Sequence, residues 1–240
     1  MLTVSMKIPT TAEIIKEAKS RLNAKDPDML LPQHVRIKFS DVVETIFEMT
    51  YKIYLEHEKR VINTTIKESI DSMKKEMFTK DEVRVIADDI TKKSIKLEKS
   101  FKQSRASRAG KSFEILVHDL LKDLGIKSEH VTRGDNRAKL RRIDLVIPDR
   151  KTAMETPDKA HFLSLKTSLR ERWKQVVQEQ TQGQRTHLIT LLQKEIISNA
   201  VAQNITEHGI FLYVPDRVKD DRFSDNRRIR RLSDLPSCLT

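Results

Sequence analysis

Between residues 142 and 179 stand the parts of a metal-dependent phosphodiesterase: Asp144 within Arg142-Ile-Asp-Leu-Val-Ile147, Lys166 ending Phe162-Leu-Ser-Leu-Lys166, and Glu179 further on. Hydrolysis of a phosphodiester calls for a hard cation that prefers carboxylate and phosphate oxygens, and Mg²⁺ is that ion. It lowers the pKa of a bound water and stabilises charge on the transferring phosphate. In such a site Asp144 is the central metal ligand, and Glu179 is a second carboxylate that reaches the metal directly or through water. Lys166 orients the attacking water and balances phosphate charge. Taken singly, each reads as an ordinary surface charge. Their placement on strand, strand and helix gives the set its weight.

The elements that must position them follow from residue periodicity. Alternate residues of a strand share a face, so Ile143, Leu145 and Ile147 point to the core and Asp144 away from it. In the second strand Leu163 and Leu165 face the core, and Phe162, Ser164 and Lys166 share the other side. Neighbouring strands can thus bring Asp144 and Lys166 to one cleft. After Thr167-Ser168, either of which could cap a helix, the pattern changes to period 3.6 with an apolar stripe at Trp173, Val176 and Val177. Arg170-Glu171-Arg172 opens that helix. Arginine donates bidentately to guanine and glutamate accepts from the cytosine amino group, so the run suits two adjacent C·G pairs; a solvated helix start is the plainer alternative.

These segments resemble the PD-(D/E)xK nuclease superfamily, specifically the type II restriction endonucleases of the SsoII, PspGI and EcoRII group. The resemblance rests on the triplet Ser164-Leu-Lys166, where serine stands in place of the usual acid, and on Glu179 thirteen residues after Lys166. It rests also on the run Lys166-Thr-Ser-Leu-Arg-Glu-Arg-Trp-Lys-Gln175 and on the strands Thr186–Thr190 and Ile210–Pro215, and it covers roughly residues 100 to 215. It implies an α/β fold, a restriction-endonuclease-like core with a mixed central sheet flanked by helices. Residues 101–240 would form this core and residues 1–100 a helical N-terminal region. It implies catalytic roles for Asp144, Ser164, Lys166 and Glu179, with Glu114 as an auxiliary acid and further metal ligand. It also implies Mg²⁺ as cofactor and recognition of CC/GG half-sites by Arg170, Glu171 and Arg172, with Gln103 touching the outer or central part of the site. The implied partners are double-stranded DNA, a second copy in a homodimer or higher oligomer, and a DNA methyltransferase as functional counterpart.

The upstream stretch Lys99–Glu114 reads as a basic helical tail that breaks near Ser107 and Gly110 and restarts at Ser112. Apolar residues at 113, 116, 117, 120, 121 and 124 then place the restarted helix on the sheet. Arg105, Arg108 and Lys111 are most simply phosphate contacts. For Glu114 two readings stand: the auxiliary acid above, or a favourable charge at a helix N-terminus.

Charge and composition fit this picture. The net charge of +11 favours a polyanion partner through counterion release. With 38% hydrophobic residues the 240-residue chain can bury a core, while 34% charged residues leave a large solvated or DNA-facing surface. Cys238 is the single cysteine, which excludes disulfides within the chain and a thiolate zinc site. No apolar run approaches the roughly 18 residues of a membrane span, and no secretory leader is evident, so a cytoplasmic, prokaryotic protein without a membrane partner is expected. The N-terminal pattern predicts a helix over 11–22 started by Thr10 or Thr11, a loop from Pro27 to Pro32, and two helices between Phe39 and Met77. A further helix is expected from Thr79 to about Phe101. All five glycines fall from Gly110 onward, where turns are needed. The basic segment Asp216–Leu232 is either a phosphate clamp or a solvated terminus. The N-terminal helices serve dimerisation, or stack extruded bases on Phe47, Tyr51, Tyr54 or Arg36.

The expectation is a homodimeric, Mg²⁺-dependent endonuclease cutting at CCNGG or CCWGG. The rivals are a structure-specific repair or junction nuclease and a non-catalytic helical DNA-binding regulator.

Overall fold

The computed structural model describes residues 8–71, 78–131, 140, 142–169, 172–179, 184–191 and 198–240; of Arg172, Gln175 and Glu179 it describes the backbone alone. Three helices and a turn open the fold: α1 (Thr11–Lys25), a 3-10 turn at Pro27–Leu30, α2 (Pro32–Ile37) and α3 (Phe39–Asp71). Thr10 starts α1 with a capping box: its hydroxyl accepts from the Glu13 N–H, and the Glu13 carboxylate accepts from the Thr10 N–H. Thr79 and Glu82 do the same for α4 (Lys80–Asp123).

Two helical expectations are corrected. The long N-terminal stretch is one helix through Asp71 rather than two. The break at Ser107 and Gly110 is absent, because α4 runs unbroken from Lys80 to Asp123. A mid-helix glycine costs about 1 kcal/mol relative to alanine, and burial of Phe113, Leu116, Val117, Leu120 and Leu121 just beyond it outweighs that cost. Gly110 therefore makes no turn. Gly125 does, at φ +77° after the helix end.

The α/β part then follows: β1 (Glu129–His130), β2 (Leu145–Ile147), α5 (Arg150–Glu155), β3 (His161–Lys166) and α6 (Arg172–Glu179). After these come β4 (Arg185–Thr190), α7 (Asn199–Glu207), β5 (Phe211–Val214), α8 (Asp216–Arg222), β6 (Ile229–Arg231) and α9 (Leu235–Cys238). The six strands form one mixed sheet in the order 1-2-3-4-5-6, with β1, β2 and β3 antiparallel and β3 to β6 parallel.

Side-chain alternation sorts the sheet into two buried faces. Leu145, Ile147, Leu163, Leu165, Ile189 and Tyr213 pack with α1, α3 and α4 in the largest apolar cluster. On the other side Val146 and Phe162 pack with Ala153 of α5, and Leu188, Leu212 and Val214 pack with α6 and α7. The second face is covered as well: Phe162 and Ser164 are fully buried, and Ile143 packs with Val146 rather than sharing the face of Leu145 as expected. Sheets that receive parallel crossovers are covered on both faces for this reason.

The basic C-terminal segment is built into the fold. It supplies α8 and the edge strand β6. Arg231 pairs with Asp220 at 2.8 Å, and Arg230 lies 4.5 Å over the Phe211 ring. The position between residues 100 and 101, expected to separate two regions, lies inside α4, and the largest apolar cluster runs across it. No described helix is long and apolar enough to cross a membrane.

Candidate active site

At Asp144 the β2 ladder runs out. Its N–H still donates to the Leu163 carbonyl at 2.8 Å, but two residues earlier Arg142 sits at φ +62°, a conformation uncommon outside glycine. The chain turns away there, and the Leu165 N–H would lose its backbone partner. The Asp144 carboxylate takes that place: Oδ2 accepts from Leu165 N at 2.6 Å and from Lys166 Nζ at 2.7 Å. A strand N–H and a lysine thus fix the carboxylate in one orientation. Both side chains are only slightly exposed, at 15% for Lys166 and 17% for Asp144.

Ser164 is fully buried and donates its hydroxyl to the Arg142 carbonyl at 3.0 Å. Its side chain braces the turn that presents Asp144. From the other side of the cleft α4 contributes Glu114, whose carboxylate meets Lys111 at 3.2 Å. Burial pushes the Glu114 carboxyl above its ordinary pKa; the Asp144 charge adds to the shift, and Lys111 and Lys166 oppose it. Two carboxylates therefore crowd one another between two lysines.

That crowding suits a hard divalent cation, which would relieve the repulsion between Asp144 and Glu114. Among the described residues no group of three or more acidic, histidine or cysteine side chains forms a cage for an ion. Mg²⁺ does not require one, since it binds through one or two carboxylates and completes its shell with water and phosphate oxygens. Helix α6 carries Glu179 at its last position, but the Glu179 side chain lies outside the described residues. The helix itself is anchored by the expected stripe, with Val176 buried and Trp173 and Val177 half-buried against Leu188 and Leu212.

Arg170 and Glu171 lie outside the described residues, and Arg172 is the first residue of α6. Gln103 is exposed on α4. Arg105 and Arg108 have protein partners. Arg105 Nε and Nη2 grip the Glu58 carboxylate at 2.6–3.1 Å, and Glu58 is buried. Arg108 donates to the Pro9 carbonyl at 2.8 Å and lies 5.1 Å over the Tyr54 ring. Arg105 thus has a counter-ion within the fold, whereas Arg108 meets a neutral carbonyl and a ring. Of the stacking candidates, Phe47 and Tyr54 belong to the core and Arg36 donates to the Leu124 carbonyl, whereas Tyr51 is 46% exposed.

Sequence reasoning passed over the histidines beside this cleft. His118 lies one turn beyond Glu114 on α4, and its ring sits 4.4 Å from that of His130 on β1. The i, i+4 spacing from Glu114 was the available signal.

The sequence matches the family model described as EcoRII C terminal over residues 57–234. It is 24% identical over 218 residues to the type II restriction enzyme EcoRII of Escherichia coli, covering 88% of this chain and 45% of that enzyme, so the chain spans about half the length of this relative. Among solved structures, the restriction endonuclease PspGI in complex with substrate DNA superposes with a TM-score of 0.72 at 26% identity, covering 100% of this chain and 96% of that one. Ecl18kI, metal-depleted and in complex with uncleaved, modified DNA, shares the fold with a TM-score of 0.79 at 22% identity, covering 96% and 78%. The family model spans most of the chain, and the chain belongs to the EcoRII C-terminal family of type II restriction endonucleases.

Proposed function

We propose that the protein is a homodimeric, Mg²⁺-dependent endonuclease that cuts double-stranded DNA at a short palindrome of CC/GG half-sites, CCNGG or CCWGG. The observation that carries this reading is the Asp144–Lys166 pair at the end of β3, with Glu114 crowding it from α4. Asp144 and Glu114, joined by Glu179 from α6, would hold the metal, which supplies a water of lowered pKa and neutralises phosphate charge. Lys166 directs its ammonium to the same place and holds the attacking water in line. Ser164 is a hydroxyl, a poor Mg²⁺ ligand, and acts by fastening the Asp144 turn.

The half-site follows from residue types: two arginines for guanines and one glutamate for a cytosine amino group. A palindrome calls for a two-fold symmetric reader, hence the dimer. Extruded central bases would find Tyr51, the accessible aromatic of α3, as a stacking partner. A restriction enzyme of this kind needs a methyltransferase that protects the same site.

The test is plasmid cleavage with Mg²⁺. Discrete fragments ending at CCNGG or CCWGG are expected; intact DNA, or preference for branched substrates, overturns the reading. Recognition is tested by competition binding in Ca²⁺. Arg170→Ala or Glu171→Ala should cost about 1–3 kcal/mol of preference for the site while binding to random DNA stays nearly constant. Equal loss on both DNAs would show these residues gripping the backbone.

A further inference from the structure

Beside the proposed metal site, two histidines far apart in sequence form a built arrangement to which the chemistry so far gives no part. His118 comes from α4 and His130 from β1, with ring centroids 4.4 Å apart and planes tilted by 51°. A hydrogen bond of 2.9 Å between His118 Nδ1 and the Ser128 hydroxyl fixes the first ring. Position 130 pairs with Leu145 across the ladder, so the His130 side chain lies on the α4 side of the sheet. The next rung ties Val131 N to the carbonyl of Asp144 at 3.1 Å. On α4, Lys111, Glu114 and His118 stand at i, i+3 and i+7, on one helix face. The pair therefore continues the line of cation and acid that begins at the candidate centre.

Burial favours the neutral form of both rings; it brings His130 down to about 4, with His118 and Lys111 adding to the shift and the Asp144 charge opposing it. A neutral imidazole still donates one N–H. In a cleft already crowded with two lysines and two carboxylates, such a donor can hold a phosphate oxygen without adding a charge that would compete with the metal.

We propose that His130, braced by His118 and through it by Ser128, is a positioning residue that holds the DNA backbone beside the scissile phosphate. The proposal rests on the nuclease reading above. A pair that merely fills the space between β1 and α4 is the alternative, and the two differ in what a ring without nitrogen does.

His130→Phe keeps an aromatic ring against His118 and removes the donor; His130→Gln restores one. Single-turnover cleavage at saturating duplex would fall about tenfold or more in His130→Phe, as expected for a misplaced phosphate, and recover in part in His130→Gln. The melting temperature would stay close to that of the wild type. A duplex series with one neutral methylphosphonate at each position around the cut locates the contact. At one position the wild type would lose rate while His130→Phe loses nothing further. If the wild type cuts but the two losses multiply at every position, or if His130→Phe cuts at the wild-type rate, the pair only packs and the proposal is overturned. A wild-type protein that leaves CC/GG duplexes intact overturns the nuclease reading, and the positioning role with it.

Discussion

The helical layer and the sheet end each hold a short pair of cation and carboxylate, and the two pairs are built to different ends. Arg105 meets Glu58 with two nitrogens at 2.6–3.1 Å, and the acid is sealed at 3% exposure while the guanidinium is 37% exposed. Lys166 meets Asp144 through one nitrogen on one oxygen, with both partners slightly open at 15% and 17%. The Arg105 fork answers a single carboxylate in full. At the sheet end Lys166 answers Asp144 and the half-exposed Lys111 meets Glu114 at 3.2 Å, yet burial, and then the Asp144 charge, keep the Glu114 pKa raised. Charge that is balanced within the fold is structural. A buried carboxylate whose charge is disfavoured beside a second carboxylate marks where a cation, and with it a phosphate, would be expected.

The largest test of this contrast is at the sheet end. Asp144→Ala or Lys166→Ala should lower cleavage by more than about 10³-fold, because each removes charge placed at the reacting phosphate. Glu179→Ala should approach the same loss. Binding of the site in Ca²⁺ should survive, as should the melting temperature within a few degrees. Ser164→Ala should instead cost about 1 kcal/mol of stability, the worth of its bond to the Arg142 carbonyl, with a much milder effect on rate. Residual cleavage within about tenfold of wild type in Asp144→Ala would remove the site from this place.

At the balanced pair the readout is reversed. Arg105→Ala strands a buried carboxylate, and breaking a buried pair costs about 3–5 kcal/mol. Because the guanidinium is partly solvated, about 2–3 kcal/mol is expected here. Chemical denaturation measures it. The salt dependence of DNA binding should hardly change, since the charge is spent on Glu58. A fall of about one in that slope with unchanged stability would return Arg105 to the DNA interface.

A third buried polar pair lies at the opposite end of β3 from Lys166. His161 Nδ1 and His187 Nε2 are 2.9 Å apart, and His187 packs against Phe211 and Tyr213. Burial, with help from His161 and Arg230, pushes His187 down to about 3. A histidine lowered in the folded state is protonated first in the unfolded chain. Its contribution is therefore present above pH 6.5 and is lost as pH falls toward 3. Between pH 7.5 and pH 5 that loss is about 2 kcal/mol. His187→Gln should flatten the acid limb of a melting-temperature profile by about that amount, and an unchanged slope would refute it.

Much of the sheet end was legible because its signals are local. Phe162–Lys166, Thr186–Thr190 and Ile210–Pro215 lie within a residue or two of β3, β4 and β5, and the pairing of Asp144 with Lys166 followed from strand alternation. The stripe from Phe113 to Leu124 packs on the sheet as its period requires. What escaped depends on context. Strand β1 is two residues long, too short to show a period. Strand β6 hides one buried apolar residue, Ile229, among arginines, so charge masked it. Gly110 looked like a stop because propensity is local, whereas the packing that carries α4 through it is not. The partner of Arg105 is 47 positions away, and nothing near it in sequence distinguishes a guanidinium held by Glu58 from one meant for phosphate.

The smallest expected effect separates the two regions most cleanly, because one kind of substitution should act with opposite signs. Glu58→Gln removes the charge answering Arg105's fork and weakens its bonds, so stability should fall. Glu114→Gln removes a carboxylate whose ionised form is disfavoured by burial and by Asp144. Its contact with Lys111, which is 53% exposed, is worth a few tenths of a kcal/mol at most. In metal-free buffer at neutral pH, Glu114→Gln should therefore raise the melting temperature by about 1–2 °C even as it slows cleavage. The gain should vanish at acid pH, because a carboxyl with a raised folded pKa begins to destabilise only above its lower unfolded value, where the unfolded chain gives up the proton first. Added Mg²⁺ should raise the wild type's melting temperature more than the variant's, since the variant has lost a ligand. A fall in melting temperature for Glu114→Gln, at neutral pH and without metal, would place Glu114 with Glu58 among the balanced charges and leave Asp144 alone at the centre.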